Sequence, residues 1–574
     1  MLRSYLNYNI FTFQLYYEKF IFLSIFLLAS TCVYSQKINN NPLGFESVLS
    51  GTFGELRSNH FHSGLDIKTK GKEGAKVFAV NKGFVSRIKI SRGGYGKAIY
   101  IKHLDGTTSV YAHLQKFSFK IDSIVKKIQY KKENYEIEFF PAVNEINISN
   151  NEIIAYSGNT GGSSGPHLHF EIRDINQKPL NPLDYGINVT DTKAPNLKGL
   201  KLYKLHKNSE IQSSRNLSFY KLSNNKYITD TVYDTGDIGF GVQAFDRQDL
   251  ANNKNGVYSL NAFTNLDTIL EVAFNKFSFD ETKHINRLID YSEFKKNKKR
   301  FIKLFIQENN PLSVFKKQLN KGILELKKDS SYIYRIELVD FNNNLSEIII
   351  PIKEEESKTK NLDIEVVKLG EINKKFINKN KKYFISKNNS SISIDKETFY
   401  SSLFLKIDSK IDTLTINSDT IPLIKSLRVK FKKTAFNNSY IGKLIEKSNK
   451  TSFVSSNVKG DSILAYTKSL GTYILARDTI NPTITPLGFN KNDWISGLNY
   501  LKIQIKDKQT GIKNYRATIN GKWILMEPFN KNGVIRYNFD DNISNMTKNI
   551  FNLEVSDNVG NTSIYETVFY RKKN

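Results

Sequence analysis

Six of the eight histidines fall between residues 60 and 169, five of them in three spaced motifs: HFHSGLD (His60 to Asp66), YAHL (Tyr111 to Leu114) and GPHLHFE (Gly165 to Glu171). Imidazole is the commonest metal ligand and the usual proton carrier near neutral pH. In GPHLHFE, His167 and His169 stand two apart in an apolar, strand-like context. Side chains at that spacing share one face of a strand, leaving Leu168 and Phe170 for the core. In HSGLD a glycine separates His62 from Asp66 and allows a sharp turn, so both can reach one ion. His, His and Asp form a suitable ligand set for catalytic zinc, with a fourth position left for water. Zinc held in this way lowers the pKa of that water and polarises a carbonyl, which serves amide hydrolysis. Such chemistry also needs proton carriers, and His113 and one histidine of the HLH pair are left over for that role.

These residues need strands to carry them. From Asn41 to about Val189 the chain is glycine-rich and alternating. KVFAVNKGFVSRIKI and KAIYIKHLDGTTSVYAHL both read as strands joined by glycine turns. Between Lys116 and Glu152 a less regular stretch predicts a short helix and strand inserted between the second and third motifs. Asp191-Thr-Lys-Ala-Pro195 reads as the linker that closes this domain, giving 37–190 as its extent. His103, on the strand before YAHL, reads as structural, and His206 and His284 read as surface residues outside the domain.

The rest of the chain predicts β-sandwich material with a faint internal repeat. Gln243-x-x-Asp246-x-Gln248, followed by Gly256-Val257, recurs as Gln504-x-x-Asp507-x-Gln509 followed by Gly511-Ile512. Glu337, Asp340, Asn344 and Ser346 recur at the same spacing as Glu554, Asp557, Asn561 and Ser563, in a hairpin each time. Two related Ig-like sandwiches follow, at 193–352 and 480–574, the first with a helical insertion from Asp280 to Phe301. The charged stretch at 353–365 reads as a solvated linker, and 366–478 as a β-rich domain of unassigned fold. The loop bearing Asp246, Asp249, Asn252 and Asn253 offers oxygens of the kind calcium takes, but it lacks a recognised spacing and reads as turn chemistry. The fold class expected overall is mainly β.

At 574 residues the chain exceeds one core, and 39% hydrophobic residues, with 39 Phe and 30 Tyr, suffice for folded domains. The formal charge of +28 could attract polyanions. No arginine-rich groove or recognised nucleic-acid motif accompanies it, so no nucleic-acid partner is expected and solvated lysines account for the charge. Lys19 precedes an apolar run from Phe20 to about Val33, followed by Ser35-Gln36. That run is too short for a comfortable membrane span and has the layout of a secretory signal, residues 1–35, cleaved after Ser35. Cys32, the single cysteine, would leave with it, so the exported chain would owe nothing to disulfides. A lipoprotein reading of Leu28 to Cys32 is the weaker alternative, because Thr31 sits poorly before a lipidated cysteine.

The segment from about 50 to 185 resembles the lysostaphin-type (LytM-like) zinc metallopeptidases, a family of peptidoglycan endopeptidases. The resemblance is carried by HSGLDI, GGYGKAIYIKHLDGTTSVYAHL, IAYSGNTGGSSGPHLHFEIRD and NPLDY. It implies an antiparallel β peptidase domain in which His62, Asp66 and His169 bind one zinc ion per chain. It also implies that His113 and His167 act as general base and electrostatic partner for the attacking water and the tetrahedral intermediate. The implied substrate is the peptide part of peptidoglycan, stem peptides or cross-bridges. Some members carry an oxyanion-stabilising tyrosine upstream of the first ligand. Here GTFGELRSNHF has none, leaving Arg57 or His60 as candidates. A catalytically silent wall-binding scaffold, or an activator of another hydrolase, is the alternative reading; a peptidase acting on proteins is a third. The Ser-Gln end of the signal and the lack of a recognisable wall-binding repeat point to the periplasm or an outer-membrane-associated place in the envelope.

Overall fold

The computed structural model describes residues 41–265, 267–355, 374–433, 438–445, 448, 450–541, 543–544 and 546–572. The expected signal segment and residues 356–365 of the expected linker lie outside the described residues. Among the described residues no helix is long and apolar enough to cross a membrane. The chain is mainly β, as its alternating patterns predict.

The described residues 41–190 hold twelve strands and one α-helix: β1 (Leu49–Gly51), β2 (Leu65–Lys68), β3 (Lys76–Phe78), β4 (Gly83–Ile90), β5 (Lys97–His103), β6 (Thr108–Ala112), β7 (Lys116–Phe117), α1 (Phe119–Lys132), β8 (Ile137–Phe139), β9 (Asn147–Ile148), β10 (Ile153–Tyr156), β11 (His167–Arg173) and β12 (Pro179–Leu180). The main sheet is antiparallel, in the order β1-β2-β11-β6-β5-β4-β8, with β12 on β11 and β9 on β4. A smaller sheet, β3-β10-β7, lies beside it. Alternation along β11 decides its faces. Leu168, Phe170 and Ile172 pack into one large core with Ile99, Ile101 and Tyr111. The odd positions of β11 take the other face, where Ala98, Tyr100, Val110 and Ala112 form a small apolar floor on the neighbouring strands. The helix and strand expected in the insertion are α1 and β8, and β8 closes the β4 edge. His103 is structural, as read: its Nδ1–H donates to the Lys82 carbonyl at 2.9 Å, and Nε2 meets Ser109 Oγ at 2.8 Å.

A five-stranded and an eight-stranded sheet follow between residues 196 and 354, enclosing Phe240, Leu260, Tyr334 and Ile348. Phe240 and Tyr334 meet across the two sheets with ring centroids 4.3 Å apart. The helix expected from Asp280 to Phe301 is instead three short pieces: Thr282–His284, Ile285–Leu288 and Tyr291–Asn297. The break falls where Ile289 is extended, because the Asp290 carboxylate caps the last piece by accepting the Glu293 N–H at 3.0 Å. Lys201 and Tyr203 also hold that carboxylate, at 3.0 and 3.1 Å. His284 is not a surface residue. It is buried, with Nδ1 2.8 Å from the Tyr400 hydroxyl, so it joins this region to the next. From 374 to 477 a six-stranded and a five-stranded sheet enclose Leu405, Val429 and Phe431. Two four-stranded sheets end the chain around Leu501, Phe551 and Val555.

One hydrophobic cluster runs from Leu43 to Ile352, so the sheets before residue 190 and the two sheets that follow share a core. Phe277, 1% exposed, stacks on Phe53 with ring centroids 5.0 Å apart and tilts against Phe61 at 5.2 Å. Gly54 has a φ of +73°, and a Cβ there would stand 2.5 Å from Phe274 Cβ, so the two backbones approach as closely as glycine allows. The far end of the chain returns as well. Trp523 and Leu525 join the same cluster, and the Tyr130 ring of α1 meets the Trp523 ring edge-on at 5.2 Å. Because Phe61 adjoins His62, emptying the space beneath it loosens both the interface and the histidine. Phe277→Ala is expected to cost about 3–5 kcal/mol in chemical denaturation and to lower the zinc bound per chain. Unchanged stability would show that the two regions do not share a core.

Candidate metal centre

The strand register assembles the site. Asp66 on β2 lies opposite His169 on β11, and His169 lies opposite Ala112 on β6. His113 follows Ala112 immediately, with a left-handed backbone (φ +58°) that turns it off the strand end, and its N–H donates to the Tyr95 carbonyl at 2.9 Å. Left-handed backbone in a non-glycine residue is uncommon, and it clusters at functional sites. His62 arrives from the turn before β2. Gly64 serves there by proximity rather than by a special φ: a Cβ would stand 2.3 Å from the Phe170 carbonyl oxygen. The structure therefore brings together all five predicted site residues, His62, Asp66, His113, His167 and His169.

The hydrogen bonds around the imidazoles fix which nitrogens carry lone pairs. His62 Nδ1–H donates to the Thr52 carbonyl at 2.8 Å, leaving Nε2 bare. His169 Nε2–H donates to Glu171 Oε1 at 2.8 Å, leaving Nδ1 bare. These two bare nitrogens are 3.0 Å apart, and each is 3.0 Å from Asp66 Oδ1. Two lone pairs and an anionic oxygen that close repel one another unless a cation or an extra proton sits among them. The donors, two imidazole nitrogens and a carboxylate oxygen, are those zinc takes, so the residues fit the ion the motifs imply. Burial opposes charge on Asp66, but His62, His167 and His169 hold its carboxyl well below the usual range. Burial also opposes charge on His169, yet Asp66 and Glu171 outweigh it and lift the imidazole to about 9.

The other two histidines are anchored by the same device. His113 Nδ1–H donates to the Thr160 carbonyl at 2.8 Å, and His167 Nδ1–H donates to the Gly165 carbonyl at 2.8 Å. Each therefore keeps a bare Nε2. That of His167 is 3.4 Å from Asp66 Oδ1, and the His113 and His167 rings lie 4.8 Å apart. Burial, with His169 and His167 nearby, pushes His113 down to about 3, which keeps it neutral.

Four further residues support the centre, and no role for them was read from the sequence. Glu171, fully buried, accepts from His169, from Ser63 Oγ at 2.6 Å, from the Tyr95 hydroxyl and from Arg173 Nε at 2.7 Å. Burial opposes its ionisation, but Arg173 and His169 hold it down to about 2. The Tyr95 ring stacks on His169 with centroids 5.2 Å apart. The signal was present in HLHFEIR, where Glu171 and Arg173 continue the odd-numbered polar face of His167 and His169. Of the two oxyanion candidates, Arg57 donates to Asp66 Oδ2 at 3.0 Å and Glu55 Oε2 at 2.9 Å, so it is engaged in orienting the ligand carboxylate. His60 is exposed, its ring bonded to the Ser58 carbonyl at 2.9 Å. Beside His113, a cleft of about 670 Å³ opens between Lys97, Thr160 and Gly161 on one side and Glu527, Phe529 and Arg536 on the other. Removing the charge that polarises a ligating histidine weakens the metal it holds. Glu171→Gln is expected to lower zinc affinity by about 10–100-fold in competition with a chromophoric chelator. His113→Ala, which touches no ligand hydrogen bond, is expected to leave that affinity unchanged.

Comparison with known proteins places this site. Residues 60–130 and 143–182 match Peptidase family M23. The gap falls between α1 and β9, within the insertion. DD-carboxypeptidase/endopeptidase Mpg of Neisseria meningitidis serogroup B is 33% identical over 132 residues, 23% of this chain and 24% of that protein. An uncharacterized metalloprotease of Haemophilus influenzae is 34% identical over 131 residues, 23% of this chain and 22% of that one. The chain thus spans about a quarter of the length of these relatives. Lipoprotein NlpD of Yersinia enterocolitica is 34% identical over 115 residues, 20% of this chain and 93% of that one. Among solved structures, the catalytic domain of lysostaphin from Staphylococcus simulans aligns at 22% identity over 24% of this chain and 91% of that one, with a TM-score of 0.19. Through the segment that carries all five site residues, the chain belongs to peptidase family M23.

Proposed function

We propose that this protein is an exported zinc metallo-endopeptidase that hydrolyses peptide bonds of peptidoglycan in the bacterial cell envelope. One observation carries the reading: three bare donor atoms converge within 3.0 Å of one another, beside two anchored imidazoles with bare Nε2 atoms. Membership of a peptidase family and the endopeptidase named among the relatives support the activity. The resemblance to the lysostaphin type supplies the substrate class, and the apolar segment before Ser35 supports export. The chain divides, in this reading, into peptidase (37–190), first sandwich (193–352), linker (353–365), a β-rich domain (366–478) and last sandwich (480–574).

His62 Nε2, Asp66 Oδ1 and His169 Nδ1 would hold the ion. Zinc bound there supplies a Lewis acid for the scissile carbonyl and lowers the pKa of an adjacent water. The rest is done by side chains. His113, neutral and tethered by Thr160, accepts at Nε2 the proton released as the water oxygen bonds to the carbonyl carbon. It then returns that proton to the amide nitrogen as the C–N bond breaks. His167, tethered at Gly165, faces the same space and is the electrostatic partner of the tetrahedral intermediate. Glu171 and Arg57 orient the ligands. The cleft next to Thr160, whose carbonyl tethers His113, is where the substrate strand would run.

The test is mass spectrometry of purified sacculi after incubation with zinc-loaded protein and with His113→Ala. Cross-linked dimers should fall and monomers rise with the native chain, and the rate should drop by about 10²–10⁴-fold in the variant at unchanged zinc content. An unchanged sacculus profile together with cleavage of ordinary L-peptides would move the protein to the class of protein-directed peptidases. Zinc binding without cleavage of either substrate would leave the scaffold reading.

A further inference from the structure

Far from the zinc ligands, the two copies of the sequence repeat build the same constellation. In the first, Asp191, Asp246 and Asp340 bring one carboxylate oxygen each within 4.8 Å of the others; in the second, Asp478, Asp507 and Asp557 do so. The frames correspond bond for bond. Asn344 Nδ2 donates to the Asp191 carbonyl at 3.1 Å, as Asn561 Nδ2 does to that of Asp478 at 3.1 Å. Ser346 Oγ donates to the Pro195 carbonyl at 2.6 Å, as Ser563 Oγ does to that of Pro482 at 2.6 Å.

The copies differ most in the surroundings of Asp246 and Asp507. Asp507 Oδ1 accepts the N–H groups of Gln509, Thr510 and Gly511 at 3.1, 2.9 and 2.6 Å, so its turn closes on itself. Its counterpart Asp246 is 4% exposed, and its Oδ1 has no hydrogen-bond partner. Asp246 also lines a cavity of about 30 Å³ together with Asp191, Asp340 and Gln248. An orphaned carboxylate oxygen in a space of roughly one small ion, walled by two more carboxylates, calls for positive charge. Burial and the mutual repulsion of the three groups push Asp246 up to about 8 and Asp191 up to about 6, and burial raises Asp340 as well.

We propose that Asp191, Asp246 and Asp340 bind one Ca²⁺ ion at the junction between the peptidase domain and the first sandwich. The donors are all oxygens, with no histidine or cysteine among them, which selects a hard cation. Ca²⁺ takes 6–8 oxygens in flexible geometry and completes its shell with water, whereas Mg²⁺ demands a near-ideal octahedron. The ion would fix the linker at Asp191 against the sandwich loop at Asp246. It would also reach the peptidase sheet, because Gln248 Oε1 accepts the Leu49 N–H of β1 at 3.2 Å and β1 pairs with β2, which carries Asp66. This inference does not depend on the proposed activity.

The full-length chain, stripped of metals and reloaded with one equivalent of zinc, would be titrated with Ca²⁺ and separately with Mg²⁺, by calorimetry and thermal melting. The expected result is one Ca²⁺ per chain with a dissociation constant at or below about 10⁻³ M and a melting temperature raised by a few degrees. Both effects should vanish in Asp246→Asn and Asp340→Asn and persist in Asp507→Asn. In Ca²⁺-free buffer at neutral pH Asp246→Asn should melt higher than the native chain, since it removes a buried carboxyl that must take up a proton on folding, without changing shape. No heat or shift at millimolar Ca²⁺, a shift produced by Mg²⁺ alone, or a Ca²⁺ response that survives Asp246→Asn and Asp340→Asn would overturn the assignment.

Discussion

Two imidazole nitrogens and one carboxylate oxygen, all within 3.0 Å, are a local conflict that only a cation or an extra proton among them relieves, and the rest of the fold maintains it. Left to itself the cluster would relax by rotating a ring or taking up a proton. It is held because the far nitrogen of each ring is spent on a fixed acceptor, the Thr52 carbonyl for His62 and Glu171 for His169. Those acceptors are in turn fixed by the sheet. Glu171 sits on the same strand as the histidine it holds, and four donors converge on it inside the core. Electrostatic preorganisation here is a property of strand register: a slip of one residue along β11 would send every one of these side chains to the opposite face.

The same logic separates the proposed ligands from the proposed proton carriers. All four working histidines of the site use one nitrogen for anchorage, but their anchors differ in kind. His169 leans on a full negative charge, which makes its free nitrogen a better donor to a metal. His113 and His167 lean on backbone carbonyls, which fix direction while adding little basicity. His113 stays neutral in a buried setting, available to take a proton as positive charge is drawn off elsewhere.

Much of this was legible in the chain, and the parts that were not have physical reasons. Spacing alone placed His167 and His169 on one face, since alternation in a strand is purely local. Which residues crowd around Glu171 was not legible, because Ser63, Tyr95 and Arg173 reach it from three separate segments. The calcium-like oxygens first noticed near Asp246 were its sequence neighbours Asp249, Asn252 and Asn253, while the carboxylates that meet it come from Asp191 and Asp340. His284 looked like a surface residue because nothing nearby in sequence announces Tyr400. The expected helix at 280–301 failed on competition: Asp290 caps one short piece and is claimed by Lys201 and Tyr203, and a continuous helix would forfeit those bonds.

The return of the last sheets to the peptidase domain bears on the order in which the protein can be finished. Every proposed metal ligand lies in the first third of the chain, and the strands that hold them can pair once β11 is made. The opposite wall of the cleft cannot: Glu527 pairs with Lys97 at 2.7 Å, and Phe529 and Arg536 line the far side. Contacts across that many residues form slowly, because so long a loop must close before they are rewarded. The cleft therefore gains its second wall only when residues 527–536, far along the polypeptide, have been delivered.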